Sequence, residues 1–176
     1  MPAAPACSRE VDDIVAKNVK EEKTNAMRLL EAAGVPYVGH TYEVGDHAPG
    51  GVEVAQALGQ DPDRVFKTLV TVGHTGQHHV FLVPVAAELD LKKAARAVDE
   101  KSIAMIKQKE LLPLTGYIHG GCSPIGMKKV FPTCIDETAQ LFDTIMFSGG
   151  RVGFQVEVAP EDLPRALDFT YADLTV

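Results

Sequence analysis

The alternation of apolar and polar positions along this chain divides it into short helices and short strands. Asn25–Ala33 predicts a helix, with Thr24 as its N-cap and Gly34 and Pro36 as its stop. Tyr37–Val44 then predicts a strand, and GDHAPGG a loop. Glu53–Leu58 predicts a short helix ending at Gly59, and Asp61-Pro62 a cap and first helical position for one further turn. Phe66–Val72 and His79–Val85 are β-rich runs separated by GHTGQH, which predicts a hairpin. Asp90 is placed to cap a helix from Leu91 to Val98, and Lys109–Leu112 predicts another short helix. Beyond it, YIHGG, KKVFPTCID, TIMFSGG and VGFQVEV are Gly-rich and β-branched segments that predict strands. Pro160, with Glu161 and Asp162, predicts a last helix, and Asp168–Val176 a final edge strand.

Helices and strands are interleaved without a long βαβ series. The predicted fold class is α/β: a single domain with a mixed, mostly antiparallel, curled and barrel-like sheet and helices packed around it. Residues 1–20 read as an N-terminal appendage and 21–176 as the domain. The chain is long enough for one full core, and 45% of it is hydrophobic.

Composition narrows the function. Aromatic residues make up only 6% and Trp is absent, so stacking platforms for single-stranded nucleic acid are scarce. Three Cys with no CxxC pair argue against a disulfide framework or a structural zinc site, and a cytoplasmic setting is expected. The first ten residues lack the basic and apolar regions of a signal peptide, and no membrane span is expected. Net charge is −7, but Leu91–Val130 carries eight basic and three acidic residues, so this segment is +5 and the rest −12. That pattern reads either as solvated helix faces or as a basic flank for phosphates.

Few residues suggest chemistry. Lys67, in VFKTLV, is a cation within a strand; it either snorkels to the surface or lines a cleft, where its ammonium binds an oxygen as a point charge. GGCSPIG, residues 120–126, allows close approach of backbone N–H groups to a carbonyl, or is an ordinary turn. FSGG at 147–150 offers Ser148 as a donor, or is a hairpin turn. Cys122 has no His-plus-acid pattern around it and reads as a packed thiol. The six His show no metal spacing, and there is no GxSxG, P-loop or GxGxxG, so no metal and no cofactor is expected.

Together, DRVFKTLV, VPVAAELDLKKAA, LTGYIHGGCSPIGMKK and TIMFSGGRVGFQVEVAPEDL, preceded by KTNAMRLL, HTYEV and VAQALG, resemble the YbaK/EbsC family. Its members are stand-alone relatives of the editing domain of bacterial prolyl-tRNA synthetase. The resemblance covers nearly everything after the appendage. It implies that fold, and hydrolysis of the ester joining an amino acid to the 3′ end of a tRNA, with Cys on tRNA(Pro) as the substrate of the most similar branch. It implies catalytic roles for Lys67, Tyr42, Gly120 and Gly121, and substrate-binding roles for Thr68, Ser123, Ser148, Gly149 and Gln155. It also implies prolyl-tRNA synthetase as a partner, with no DNA or membrane partner.

Two positions depart from that branch: Gln155 stands where an acid can occur, and Gly50-Gly51 where an aromatic residue can. Both border the amino-acid pocket, so Cys and another small residue such as Ala stay open. For a cysteinyl ester, the resemblance implies that the substrate's own thiol attacks the carbonyl; an alanyl ester needs a bound water. A non-catalytic module binding tRNA or the synthetase is the alternative to an enzyme.

Overall fold

The computed structural model describes residues 22–176. The appendage expected at 1–20, and Cys7 within it, lie outside them.

Helix α1 (Asn25–Ala32) begins where expected: the Thr24 hydroxyl accepts a hydrogen bond from Met27 N–H at 3.2 Å. It ends at Gly34, whose φ of +72° suits a residue without a Cβ. Strand β1 (Tyr37–Thr41) stops earlier than its pattern suggests, although Tyr42 N–H still reaches the Gly153 carbonyl at 3.0 Å. Helix α2 (Gly51–Ala57) starts two residues before the expected Glu53 and leads through a 3-10 turn, Pro62–Arg64, capped by Asp61. The hairpin of β2 (Phe66–Gly73) and β3 (His78–Pro84) is antiparallel, as expected. Asp90 caps α3 (Leu91–Ala97) by accepting from Lys92 and Lys93 N–H.

The structure departs from the sequence reading after this point. Strand β4 (Ile103–Met105) was not expected, because three residues are too few to show alternation. Helix α4 (Gln108–Thr115) is longer than Lys109–Leu112 and holds Pro113 within it; burial of Leu111 and Thr115 carries it through to a left-handed cap at Gly116. YIHGG forms no strand. Of KKVFPTCID only β5 (Thr133–Asp136) is extended. Strands β6 (Ile145–Ser148) and β7 (Phe154–Val158) lie in the two segments expected to form them. The last helix is reduced to a 3-10 turn, Leu163–Arg165, and β8 (Thr170–Ala172) is an edge strand.

The strands form two sheets, of order β1-β7-β6 and β4-β2-β3-β5-β8. All pairs are antiparallel except β3–β5 and β5–β8. An isolated bridge between Val65 and Met146 joins the sheets, which do not close into a barrel. The main core lies between them, with Phe66 and Val70 of β2 against Phe147 of β6 and Val156 of β7. Helix α3 covers the other face of the larger sheet through Ala94 and Ala95, against Phe81 and Val83. Helix α2 packs Ala55 in a third cluster with Val65, Val85 and Met146.

Candidate functional site

Where the two sheets meet at the Val65–Met146 bridge, the entry to β2 and the ends of β6 and β7 border a cleft of about 190 Å³. That is below the roughly 300–1,000 Å³ of clefts for drug-sized ligands, so it suits a small group. Lys67, the second residue of β2 and the cross-strand partner of Val83, lines it. Alternation sends Phe66 and Val70 into the main core and Leu69 toward α3. Lys67 shares the face of Leu69 but lies at the strand end, where the cleft replaces packing. Burial lowers the pKa of its ammonium, opposed by the charge of Glu88. Among the described residues it forms no ion pair.

Ser148 and Gln155 are direct cross-strand partners at the near ends of β6 and β7, and both line the cleft. Alternation in β7 gives Phe154, Val156 and Val158 to the core and turns Gln155 and Glu157 the other way. Ser148 Oγ accepts from Gly150 N–H at 3.2 Å, which holds the turn and leaves the hydroxyl proton free to donate. Gln155 Oε1 and Thr68 Oγ1 are both buried and without a hydrogen-bond partner among the described residues, and both residues line the cleft. An unmet buried polar atom costs about 1–3 kcal/mol, and two of them belong to residues of this one cleft. Tyr42, from the segment after β1, completes this side.

The opposite wall comes from α4 and the loop after it, through Leu111, His119, Gly120 and Cys122. Gly120 adopts φ +84° and its N–H has no acceptor among the described residues. Gly121 differs from the expectation. Its N–H donates to the Ile118 carbonyl at 3.0 Å, so it is spent on the turn. Its missing side chain matters instead, because a Cβ there would sit 2.8 Å from Val152 N. Ser123 is fully buried and does not line the cleft; its Oγ accepts from Ile125 N–H at 3.2 Å. Gly149 also lies behind the lining, with its N–H on the Phe154 carbonyl at 2.9 Å. These three residues shape the turns that present Gly120 and Ser148.

Burial pushes the Cys122 thiol up to about 12, against a hydrogen bond from Thr115 that lowers it, so it stays protonated at neutral pH. Among the described residues no three His, Cys, Asp or Glu side chains come together as a metal site. No helix among them is long and apolar enough to cross a membrane.

The sequence relationship gives the family. Residues 47–166 match the model of the aminoacyl-tRNA editing domain. The chain belongs to the aminoacyl-tRNA editing family. Within it, the chain is 44% identical over 161 residues to a protein of Enterococcus faecalis (strain ATCC 700802 / V583) named "Putative Cys-tRNA(Pro)/Cys-tRNA(Cys) deacylase EbsC"; the match covers 92% of this chain and 98% of that one. It is 30% identical over 109 residues to the proline–tRNA ligase of Shouchella clausii (strain KSM-K16), covering 61% of this chain and 19% of the ligase. Among solved structures, one described as "a putative trans-editing enzyme for prolyl tRNA synthetase" superposes with a TM-score of 0.73 at 28% identity, covering 88% of this chain and 99% of the other.

Sequence reasoning missed two features of this region. One is the Leu111–His119 wall, hidden because α4 continues through Pro113. The other is a polar cluster outside the cleft lining: Glu157 accepts from Thr144, from Arg64 of the turn before β2, and pairs with His40 of β1. Its one visible signal was an acid two residues after Gln155 on the same strand face.

Proposed function

We propose that this chain is a trans-editing aminoacyl-tRNA deacylase that cleaves the ester between cysteine and the 3′ end of tRNA(Pro), alongside prolyl-tRNA synthetase. One observation carries the reading: Lys67, without an ion pair among the described residues, opens onto a small cleft whose buried acceptors, Thr68 Oγ1 and Gln155 Oε1, have no hydrogen-bond partner among them. Such a cleft holds a small moiety rich in donors, as an aminoacyl group with its ammonium is.

An aminoacyl ester is already labile, so the pocket needs only to orient it and to stabilise charge developing on the carbonyl oxygen. Gly120 N–H and the Lys67 ammonium serve that oxygen and the terminal nucleotide. Gln155, Thr68, Ser148 and Tyr42 orient the amino acid. The cysteinyl thiolate attacks its own carbonyl carbon. A C–S bond forms, the C–O bond to the ribose breaks, and the ribose oxygen takes a proton. Water then opens the released thiolactone.

The test compares Cys-, Ser- and Ala-tRNA(Pro) side by side under single-turnover conditions. A pocket that measures size separates near-isosteric Cys and Ser by only about 1–3 kcal/mol. A thiol is a few per cent ionised at neutral pH and a hydroxyl is not. Cys-tRNA is therefore cleaved far faster, and a thiolactone is trapped. Equal rates for all three without thiolactone would assign the attack to water and open the Ala reading. No cleavage of any would make the chain a binding module.

A further inference from the structure

We propose that the outer surface of α4 and the loop carrying Lys128 and Lys129 is the track on which the phosphates of the tRNA acceptor end lie. The inference rests on the reading of the chain as a tRNA-ester hydrolase, and names the surface by which its cleft receives the substrate.

The sequence left the +5 segment undecided between solvated faces and a phosphate flank. The structure divides its lysines. Lys93 is tied to Asp173 at 2.9 Å and to the Thr175 carbonyl, on α3, which covers the far face of the larger sheet. Lys101 precedes β4, which pairs with the opposite end of β2 from Lys67. Lys107, Lys109, Lys128 and Lys129 differ in their place. Like Lys92, Arg96 and Lys101 they are exposed and form no ion pair among the described residues, but they stand on the helix and loop that wall the cleft.

Their placement follows the cleft wall. Lys107 and Lys109 stand at the start of α4, and the preceding Ile106 N–H reaches the Val70 carbonyl of β2. Lys128 N–H bonds the Thr115 carbonyl, which brings the second lysine pair to the other end of the helix. The same helix and loop turn Leu111, His119 and Gly120 inward to the cleft. One wall thus carries the ester site on its inner side and two lysine pairs at its ends. An eight-residue helix is about 12 Å long, the span of roughly three to four phosphates along one strand. Residues 107–129 contain four lysines and a single acid, Glu110, whose carboxylate is turned back onto Lys107 N–H at 2.8 Å. On a chain of net charge −7 this local excess orients an otherwise unfavourable polyanion.

The experiment measures binding of uncharged tRNA(Pro) to the full chain across a salt series. It also measures hydrolysis of two esters, Cys-tRNA(Pro) and cysteinyl-adenosine, which lacks the acceptor stem. The variants are Lys107→Gln/Lys109→Gln, Lys128→Gln/Lys129→Gln, and Lys92→Gln/Arg96→Gln on α3 as a control. For each of the first two pairs the slope of log affinity against log salt falls by about two, roughly one per lysine. Cleavage of Cys-tRNA drops by about tenfold or more through KM, and cleavage of cysteinyl-adenosine stays as in the parent chain. The α3 pair changes none of these. Unchanged slopes for both lysine pairs, an equal drop for the α3 pair, or a parallel loss on cysteinyl-adenosine would overturn the proposal. If neither ester is cleaved by any form while the slopes fall as stated, the hydrolase reading fails and the phosphate track stands.

Discussion

The Glu157 carboxylate accepts a hydrogen bond from Arg64 Nη2 at 2.9 Å, tying β7 to the turn that leads into β2. The same carboxylate accepts from the Thr144 hydroxyl at 2.6 Å and pairs with His40 Nε2 at 2.9 Å. It therefore joins β1 and β7 of the smaller sheet to the turn that leads into β2 of the larger one.

The hydrogen bond from Thr144, with those from His40 and Arg64 and the Arg64 charge, holds the Glu157 carboxyl below its ordinary value of 4.5. A carboxylate depressed in the folded state contributes stability that is complete above the unfolded value and is lost as pH falls through the folded one. Glu157→Gln is expected to destabilise the fold by about 1–3 kcal/mol at neutral pH. It also weakens the pH dependence of stability below 4.5. Urea unfolding at pH 7 and through the acid range checks both, and equal stability of the two proteins throughout would dismiss the tie.

Lys67→Ala is expected to abolish deacylation, by about 10²–10³ or more if its ammonium serves the developing oxyanion. Because Lys67 forms no ion pair among the described residues, the melting temperature stays level or rises slightly. Lys67→Arg also fails, since a planar fork does not replace a point charge in a small cleft. Full turnover by a folded Lys67→Ala protein would remove the residue from the mechanism.

Gln155→Met is expected to trade function for stability. It removes an unmet buried acceptor, which is worth about 1 kcal/mol in favour of the variant, and deprives the aminoacyl group of a partner. Thermal melts and deacylation assays on one preparation read both effects. A less stable variant with normal activity would show that Gln155 Oε1 is satisfied in the free protein and idle in the complex.

Cys122 is expected to resist alkylation in the native protein at pH 8, since burial holds its thiol near 12. Peptide mapping after iodoacetamide treatment separates it from Cys7 and Cys134. Cys122→Ala retains deacylation within a few-fold. Rapid labelling, or an inactive but folded variant, would return Cys122 as a candidate nucleophile.

Local chemistry determined much of this protein. Thr24 and Asp90 marked helix starts, and the two β-rich runs around GHTGQH marked the hairpin, because caps, turns and alternation depend on neighbours within a few residues. The order of FKTL, GGCSPIG and SGG was enough for the family. The tertiary structure decided what depends on distant chain. It carried α4 through Pro113 because buried Leu111 and Thr115 outweighed a local stop signal. It left two sheets joined by one bridge, since closure depends on strand edges that no local pattern describes. Spacing could not show that Gly121 N–H is spent on Ile118, or that Ser123 and Gly149 sit behind the cleft, because hydrogen-bond partners are chosen by the folded turn. Nor could a count of charges separate Lys93, held by Asp173 from the C-terminal end of the chain, from the four lysines on the cleft wall: a lysine's freedom is fixed by which acids the fold brings within reach.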